Sequence, residues 1–201
     1  CMILSEDTIY RYGDIVALVA ADTKEHAREA AAKVKVEIEE LPAYLNYLDA
    51  AMPDAMRIHD DTPNVYAVQP VLKGDHENVP DLIENAPYSV EGSFYSTREP
   101  HLSIEGDTVQ AYYGEDGLLT IHCKSQGLYG TLYNVSEAVG VPMEEMRMIE
   151  NPTGASFGWA MYAGSYALAA MATIATGMPC ALSMSYEEHQ HYSGKRCPAY
   201  T

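Results

Sequence analysis

Apolar and polar positions along the chain alternate between two periods, and the switches mark the elements. Ile15 to Ala20 is a nearly unbroken apolar run, the pattern of a strand buried on both faces. Thr23 to Val34 then places Ala27, Ala30, Ala31 and Val34 on one helical face, with Asp22 and Thr23 offering the N-cap. Lys35 to Glu40 alternates and predicts a strand with one wet face. These make a β-α-β unit that Pro42 ends. Residues 43–86 carry Pro53, Pro63, Pro70 and Pro80 and read as an extended connector, with a short helix near Tyr44–Met52 and a short strand at Val65–Val68. Residues 88–95 alternate as a strand. Thr108–Tyr113 and Leu118–Cys123 flank the turn composition Gly114-Glu115-Asp116-Gly117, which predicts a hairpin and, with 88–95, a three-stranded meander.

After Gln126 the period becomes helical at Leu128, Leu132, Val135 and Val139, and Gly140 and Pro142 close that helix. Met146–Glu150 predicts a strand. A long Ala- and Gly-rich helix is expected from about Met161 to Thr176, capped by Gly177, followed by a strand over Cys180–Ser185. Tyr186–Gln190 reads as a helix or turn, and Gly194–Thr201 as a loop. The fold class is α+β.

Composition narrows the function. The 201 residues are 47% apolar, which fits a globular protein, and 29 acidic against 12 basic residues give a net charge of −17. Nucleic acid and an anionic membrane surface are excluded as partners on that balance. The longest apolar stretch, from Trp159 to Ile174, is broken by Gly164 and Ser165 and is too short for a membrane span. Cys1, Cys123, Cys180 and Cys197 form no Cys-x-x-Cys pair, so they read as reduced thiols of a cytoplasmic protein. No signal peptide follows Cys1-Met2-Ile3-Leu4, and the chain is expected to be a piece of something longer.

The candidate chemistry centres on the turn Asn151-Pro152-Thr153-Gly154-Ala155-Ser156-Phe157-Gly158, between the strand at 146–150 and the small-residue helix. Gly154 and Gly158 permit positive φ and close backbone approach, and a helix start behind them would offer unpaired N–H groups to an anion or oxo group. Gly-x-Gly-x-x-Gly and Gly-Lys-Ser/Thr are both absent, so it is neither a dinucleotide fingerprint nor a P-loop. Thr153 and Ser156 could add hydroxyl donors. Gln126, between strand and helix, carries an amide donor and a carbonyl acceptor. His101 between Glu99 and Glu105 is read as a hydrogen-bonded structural histidine in preference to a proton shuttle. His189-Gln190-His191 is read as a surface turn in preference to a metal site, and no Gly-x-Ser-x-Gly elbow supports a hydrolase.

Taken in order, Glu99-Pro100-His101, Glu105, Ser125-Gln126, Gly140-Val141-Pro142, the turn 151–158 and Gly194-Lys195-Arg196-Cys197-Pro198 resemble the molybdenum hydroxylases, the family of xanthine dehydrogenases and aldehyde oxidoreductases. Phe94-Tyr95, Asn151-Pro152 and Tyr192-Ser193-Gly194-Lys195-Arg196 resemble its bacterial aldehyde oxidoreductase branch. The resemblance implies the end of an α/β hammerhead domain over 1–42, a linker over 43–64, and the N-terminal part of a molybdopterin-binding domain with mixed sheet and helices over 65–201. It implies molybdopterin in the cytosine dinucleotide form, carrying molybdenum, with Gln126, Gly154, Ala155, Phe157 and Gly158 as cofactor-binding residues. In the family a Gln at the position of Gln126 donates to the apical oxo group of molybdenum, and the Phe-Gly turn presents backbone N–H groups to the cofactor.

At position 161 the purine-hydroxylating branch has a Glu. Met161 here fits an aldehyde or aromatic substrate, or it packs in the core; both readings stand. Ala160 replaces a Lys common in the family. No residue of this chain is assigned a catalytic or metal-ligating role. The resemblance implies oxidation of an aldehyde to a carboxylic acid, with the general-base Glu, the iron–sulfur clusters and the C-terminal molybdopterin domain supplied by the remainder of the enzyme or partner chains. It further implies a cytoplasmic homodimer, contacting neither nucleic acid nor membrane. The alternative is a non-catalytic interaction or assembly module descended from that family.

Overall fold

Thr23 caps the first helix, its hydroxyl accepting the His26 N–H at 3.1 Å, and this pattern of local signals deciding helices repeats along the chain. The computed structural model describes residues 3–162 and 164–201. Its elements are α1 (Lys24–Ala31), α2 (Tyr47–Ala50), α3 (Val79–Glu84), β1 (Tyr95–Ser96), β2 (Glu99–Pro100), β3 (Thr108–Tyr113), β4 (Leu119–Cys123) and α4 (Leu128–Val139). There follow β5 (Met146–Glu150), α5 (Gly164–Thr176), β6 (Cys180–Ser183), α6 (Tyr186–Tyr192), β7 (Lys195–Arg196) and β8 (Ala199–Tyr200). They fall into two compact units, one of residues 1–37 and 99–196, the other of residues 38–98 and 197–201.

In the first unit a four-stranded sheet runs in the order β5-β4-β3-β6. The hairpin β3–β4 forms as its turn composition predicts, with Tyr113 opposite Leu119 and Gly117 at φ +80. β5 lies parallel to β4, connected by α4 as a β-α-β crossover. β6 adds antiparallel to β3. Val109 and Ala111 point one face of β3 into the core, and Leu119, Ile121 and Cys123 do so from β4. Val135 of α4 and Tyr166, Ala167, Ala169 and Ala170 of α5 complete that core. The alanines let α5 approach the sheet closely enough for Thr173 Oγ1 to donate to the Ala111 carbonyl at 2.9 Å. Gly140 takes φ +70 at the end of α4, and its N–H donates to Ser136 O at 2.9 Å. A short antiparallel pair, β2 with β7, also belongs to this unit.

The second unit is held by small polar devices. Asn46 caps α2, and Asn64 donates to the Ala50 and Met56 carbonyls, both at 2.9 Å. β1 pairs with β8, Tyr95 opposite Tyr200.

Several expectations need correction. Ile15–Ala20 and Lys35–Glu40 form no strands, and the alternation at 88–95 contributes only its end to a ladder, Phe94 exchanging backbone bonds with Thr201 and Tyr95 opposing Tyr200; Val65–Val68 is likewise not a strand. A strand exists only with a partner edge, about which alternation says nothing. The third strand of the expected meander is therefore replaced by β6 and β5. The connector contains an unforeseen helix, α3, with Pro80 in its first turn, where a missing N–H costs nothing. The 194–201 loop supplies β7 and β8. The small-residue helix begins at Gly164, not near Met161, because a 3₁₀ turn over Trp159–Met161 and an extended Tyr162 intervene.

Candidate functional site

The parallel pairing of β4 with β5 brings their C-terminal ends side by side, and Asn151 N–H extends the ladder to the Cys123 carbonyl at 2.7 Å. The turn after β5 therefore lies against Lys124-Ser125-Gln126. Ser156 Oγ donates to Gln126 Oε1 at 2.6 Å and accepts the Ala160 N–H at 2.6 Å, while Gln126 N–H donates to the Ala160 carbonyl at 3.2 Å. The Gln126 carboxamide is thus held by its oxygen, and its Nε2 has no hydrogen-bond partner among the described residues.

The bend turns at Phe157 and Gly158, with φ of +50 and +91. The space at Gly158 is open: an added Cβ would meet nothing within 4 Å. The amides of Phe157 and Gly158 also lack a partner among the described residues. Two unpaired amides at consecutive left-handed residues form a concavity suited to an anionic or oxo group. This is the donor array expected of a helix start, but α5 does not supply it.

Gly154 matters differently. Its φ is not positive; instead the Glu105 carboxylate approaches so closely that a Cβ would lie 3.0 Å from Oε2. That carboxylate accepts the Ala155 N–H at 2.5 Å, so this amide is already committed. Phe157 is 77% exposed and Met161 60% exposed, so Met161 lies outside this chain's own core. Ala160 is fully buried and keeps both its backbone bonds, so the departure from Lys leaves the bend intact. Thr153 Oγ1 reaches the Ser125 carbonyl only at 3.5 Å.

Beneath the bend lies a polar cluster that sequence reasoning missed. Asp107 is 1% and Lys124 3% exposed, their charged atoms 3.4 Å apart. Asp107 Oδ2 accepts the Trp159 indole N–H at 2.6 Å and the Ser165 hydroxyl at 3.0 Å. The Trp159 ring stacks on His101 and Tyr162 and meets His189 and Tyr192 edge-on. His189 is fully buried on α6, not on a surface turn, and its Nε2 is 3.6 Å from Asp107 Oδ1, beyond a hydrogen bond. His191 instead packs edge-on against Tyr12.

Glu99 pairs with Arg196 at 3.2 Å and Glu105 holds Ala155, so no carboxylate flanks His101 as the sequence order suggested. Neither ring nitrogen of His101 makes a hydrogen bond of normal geometry, and its ring is packed on Trp159 and His189. Burial lowers the pKa of His101, opposed by the Gly194 carbonyl and Asp107. Burial likewise lowers that of His189, with Asp107 opposing. Burial pushes the Cys123 thiol up to about 12, with the Glu150 and Asp107 charges adding to it. No group of three ligating side chains that could hold a metal occurs among the described residues. No helix among them is long and apolar enough to cross a membrane.

The parallel strand ends of a mixed sheet carry a carboxamide and a left-handed bend, and sequence comparison places this arrangement in a cofactor-binding domain. Residues 58–201 match the molybdopterin cofactor-binding domain, and residues 1–42 match the aldehyde oxidase and xanthine dehydrogenase a/b hammerhead domain. The chain belongs to this molybdopterin cofactor-binding family.

Among its relatives, aldehyde oxidoreductase of Megalodesulfovibrio gigas is 45% identical over 98% of this chain and 21% of its own length. The nicotinate dehydrogenase large molybdopterin subunit of Eubacterium barkeri is 31% identical over 97% of this chain and 45% of its own. A solved structure of aldehyde oxidoreductase from Desulfovibrio gigas superposes with a TM-score of 0.90 at 45% identity, covering 97% of this chain and 21% of that one. The chain thus spans about a fifth of the length of the first of these relatives.

Proposed function

We propose that this chain forms part of the cofactor cradle of a molybdenum-dependent aldehyde oxidoreductase. The carrying observation is the 2.6 Å bond from Ser156 to Gln126 Oε1, which secures the carboxamide beside the bend and leaves its N–H donors unspent. With the amides of Phe157 and Gly158, these donors fit an oxo-bearing, anionic group, and backbone donors suit the task because no rotamer change can withdraw them. Gln126, Phe157 and Gly158 would hold the cofactor. Gly154 and Ala155 shape the bend through Glu105 and donate nothing outward. The cofactor, as molybdopterin cytosine dinucleotide with molybdenum, would supply the two-electron oxidation that converts an aldehyde to its acid. Exposed Met161 and Phe157 supply an apolar, polarizable wall that suits an aldehyde better than a purine.

The Glu105 carboxylate is occupied by Ala155, so the general base is contributed from elsewhere in the enzyme, as are the iron–sulfur clusters. We take 1–42 as the hammerhead end, 43–64 as linker and 65–201 as the molybdopterin-binding part. The complete enzyme is read as a cytoplasmic homodimer. The test is metal analysis with mass spectrometry of released pterin nucleotide from the full-length protein: near-stoichiometric molybdenum and a cytosine nucleotide are expected, and absence of both refutes the reading. Replacing Met161 by Glu should lower kcat/KM for apolar aldehydes by roughly tenfold or more, the loss of a desolvated apolar contact to a charge.

A further inference from the structure

Several bonds that fix the bend lead back to one buried carboxylate. Asp107 Oδ2 accepts the indole N–H of Trp159, the residue directly after Gly158. Its other oxygen faces Lys124 Nζ at 3.4 Å, and that ammonium donates to the carbonyl of Ala155, two residues before Phe157, also at 3.4 Å. Lys124 further donates to the Glu105 and Gly106 carbonyls at 3.2 and 3.4 Å, and Asp107 accepts from Ser165 at the start of α5. One carboxylate is therefore tied to both flanks of the two left-handed residues.

Stability alone does not account for such a pair. Taking both charges out of water is costly, and apolar replacements of buried pairs are often neutral or better. What the charges add is direction: one orientation of the indole and one position of the Ala155 carbonyl. Phe157 needs that, because a non-glycine residue holds φ +50 only where its surroundings impose it. We infer that Asp107, acting through Trp159 and Lys124, is a positioning residue that holds the amides of Phe157 and Gly158 in their cofactor-receiving geometry. This rests on the molybdopterin reading above.

Three variants of the full-length protein test it, each measured for pterin and molybdenum per folded chain beside the unaltered protein, with circular dichroism melting as the control for folding. Trp159→Phe keeps an aromatic ring and the charge pair but removes the indole N–H along with the five-membered part of the ring. Asp107→Leu with Lys124→Met replaces the pair by apolar residues. Asp107→Asn with Lys124→Met drops both charges but keeps an acceptor for the indole. The first two should lose pterin and molybdenum roughly tenfold per folded chain, as removal of supporting contacts does at metal sites. The third should regain most of the content. Full content in Trp159→Phe, or a loss no larger than the loss of folded chains, overturns the inference even where the double variants fail to fold. So does a third variant no better than the second. An unaltered protein without pterin would instead refute the molybdopterin reading, and the inference with it.

Discussion

Gln126 divides its work between two atoms. Its oxygen is taken by Ser156 and its nitrogen is left to act outward. Replacing Ser156 by Ala should therefore do two things. The buried Ala160 N–H loses its acceptor, at a cost of about 1–3 kcal/mol readable in a thermal melt. The freed carboxamide should also lower bound pterin. Lys124 gives a sharper case. Lys124→Met alone strands the Asp107 charge in the interior and should destabilise by about 3–5 kcal/mol, measured by urea unfolding. Gln126, Phe157 and Gly158 are proposed as cofactor-binding residues because their types and order carry the resemblance. Asp107 and Lys124 were not legible in the sequence: they flank the ends of the β3–β4 hairpin, and nothing local says that Lys124 will come against Asp107.

At the scale of elements, helices were read better than strands. Leu128, Leu132, Val135, Val139 and Gly140 predicted α4 to the residue that caps it. Gly140→Ala should cost about 1 kcal/mol, since alanine resists φ +70; the helix end would show it as faster amide exchange. α6 carries a pH signature. The pKa of His189, and of His101 on the loop facing it, lies below the ordinary 6.5 because burial disfavours the cation. Below that value the unfolded chain binds more protons than the folded one. Stability from this source is present above pH 6.5 and is lost as pH falls through the lowered folded values. The urea midpoint should drop between about pH 7.5 and about pH 5.5, and His189→Gln should shrink that drop.

For the molecule as a whole, two compact units and a match to about a fifth of a longer relative set the limits of what this chain does by itself. The Glu105 carboxylate, which lies against the bend, is committed to the Ala155 amide. The isolated 201-residue chain should give no aldehyde-dependent dye reduction; a steady rate would show that the chemistry needs nothing from outside it. The amino-acid order by itself determined α1, α4 with its Gly140 cap and the β3–β4 hairpin, because each rests on neighbours within a few positions. Tertiary structure alone decided which apolar runs found a partner edge, that Ile15–Ala20 did not, and that Asp107, Lys124, Trp159 and His189 meet under the bend. Those outcomes depend on contacts between distant residues, which side-chain period leaves open.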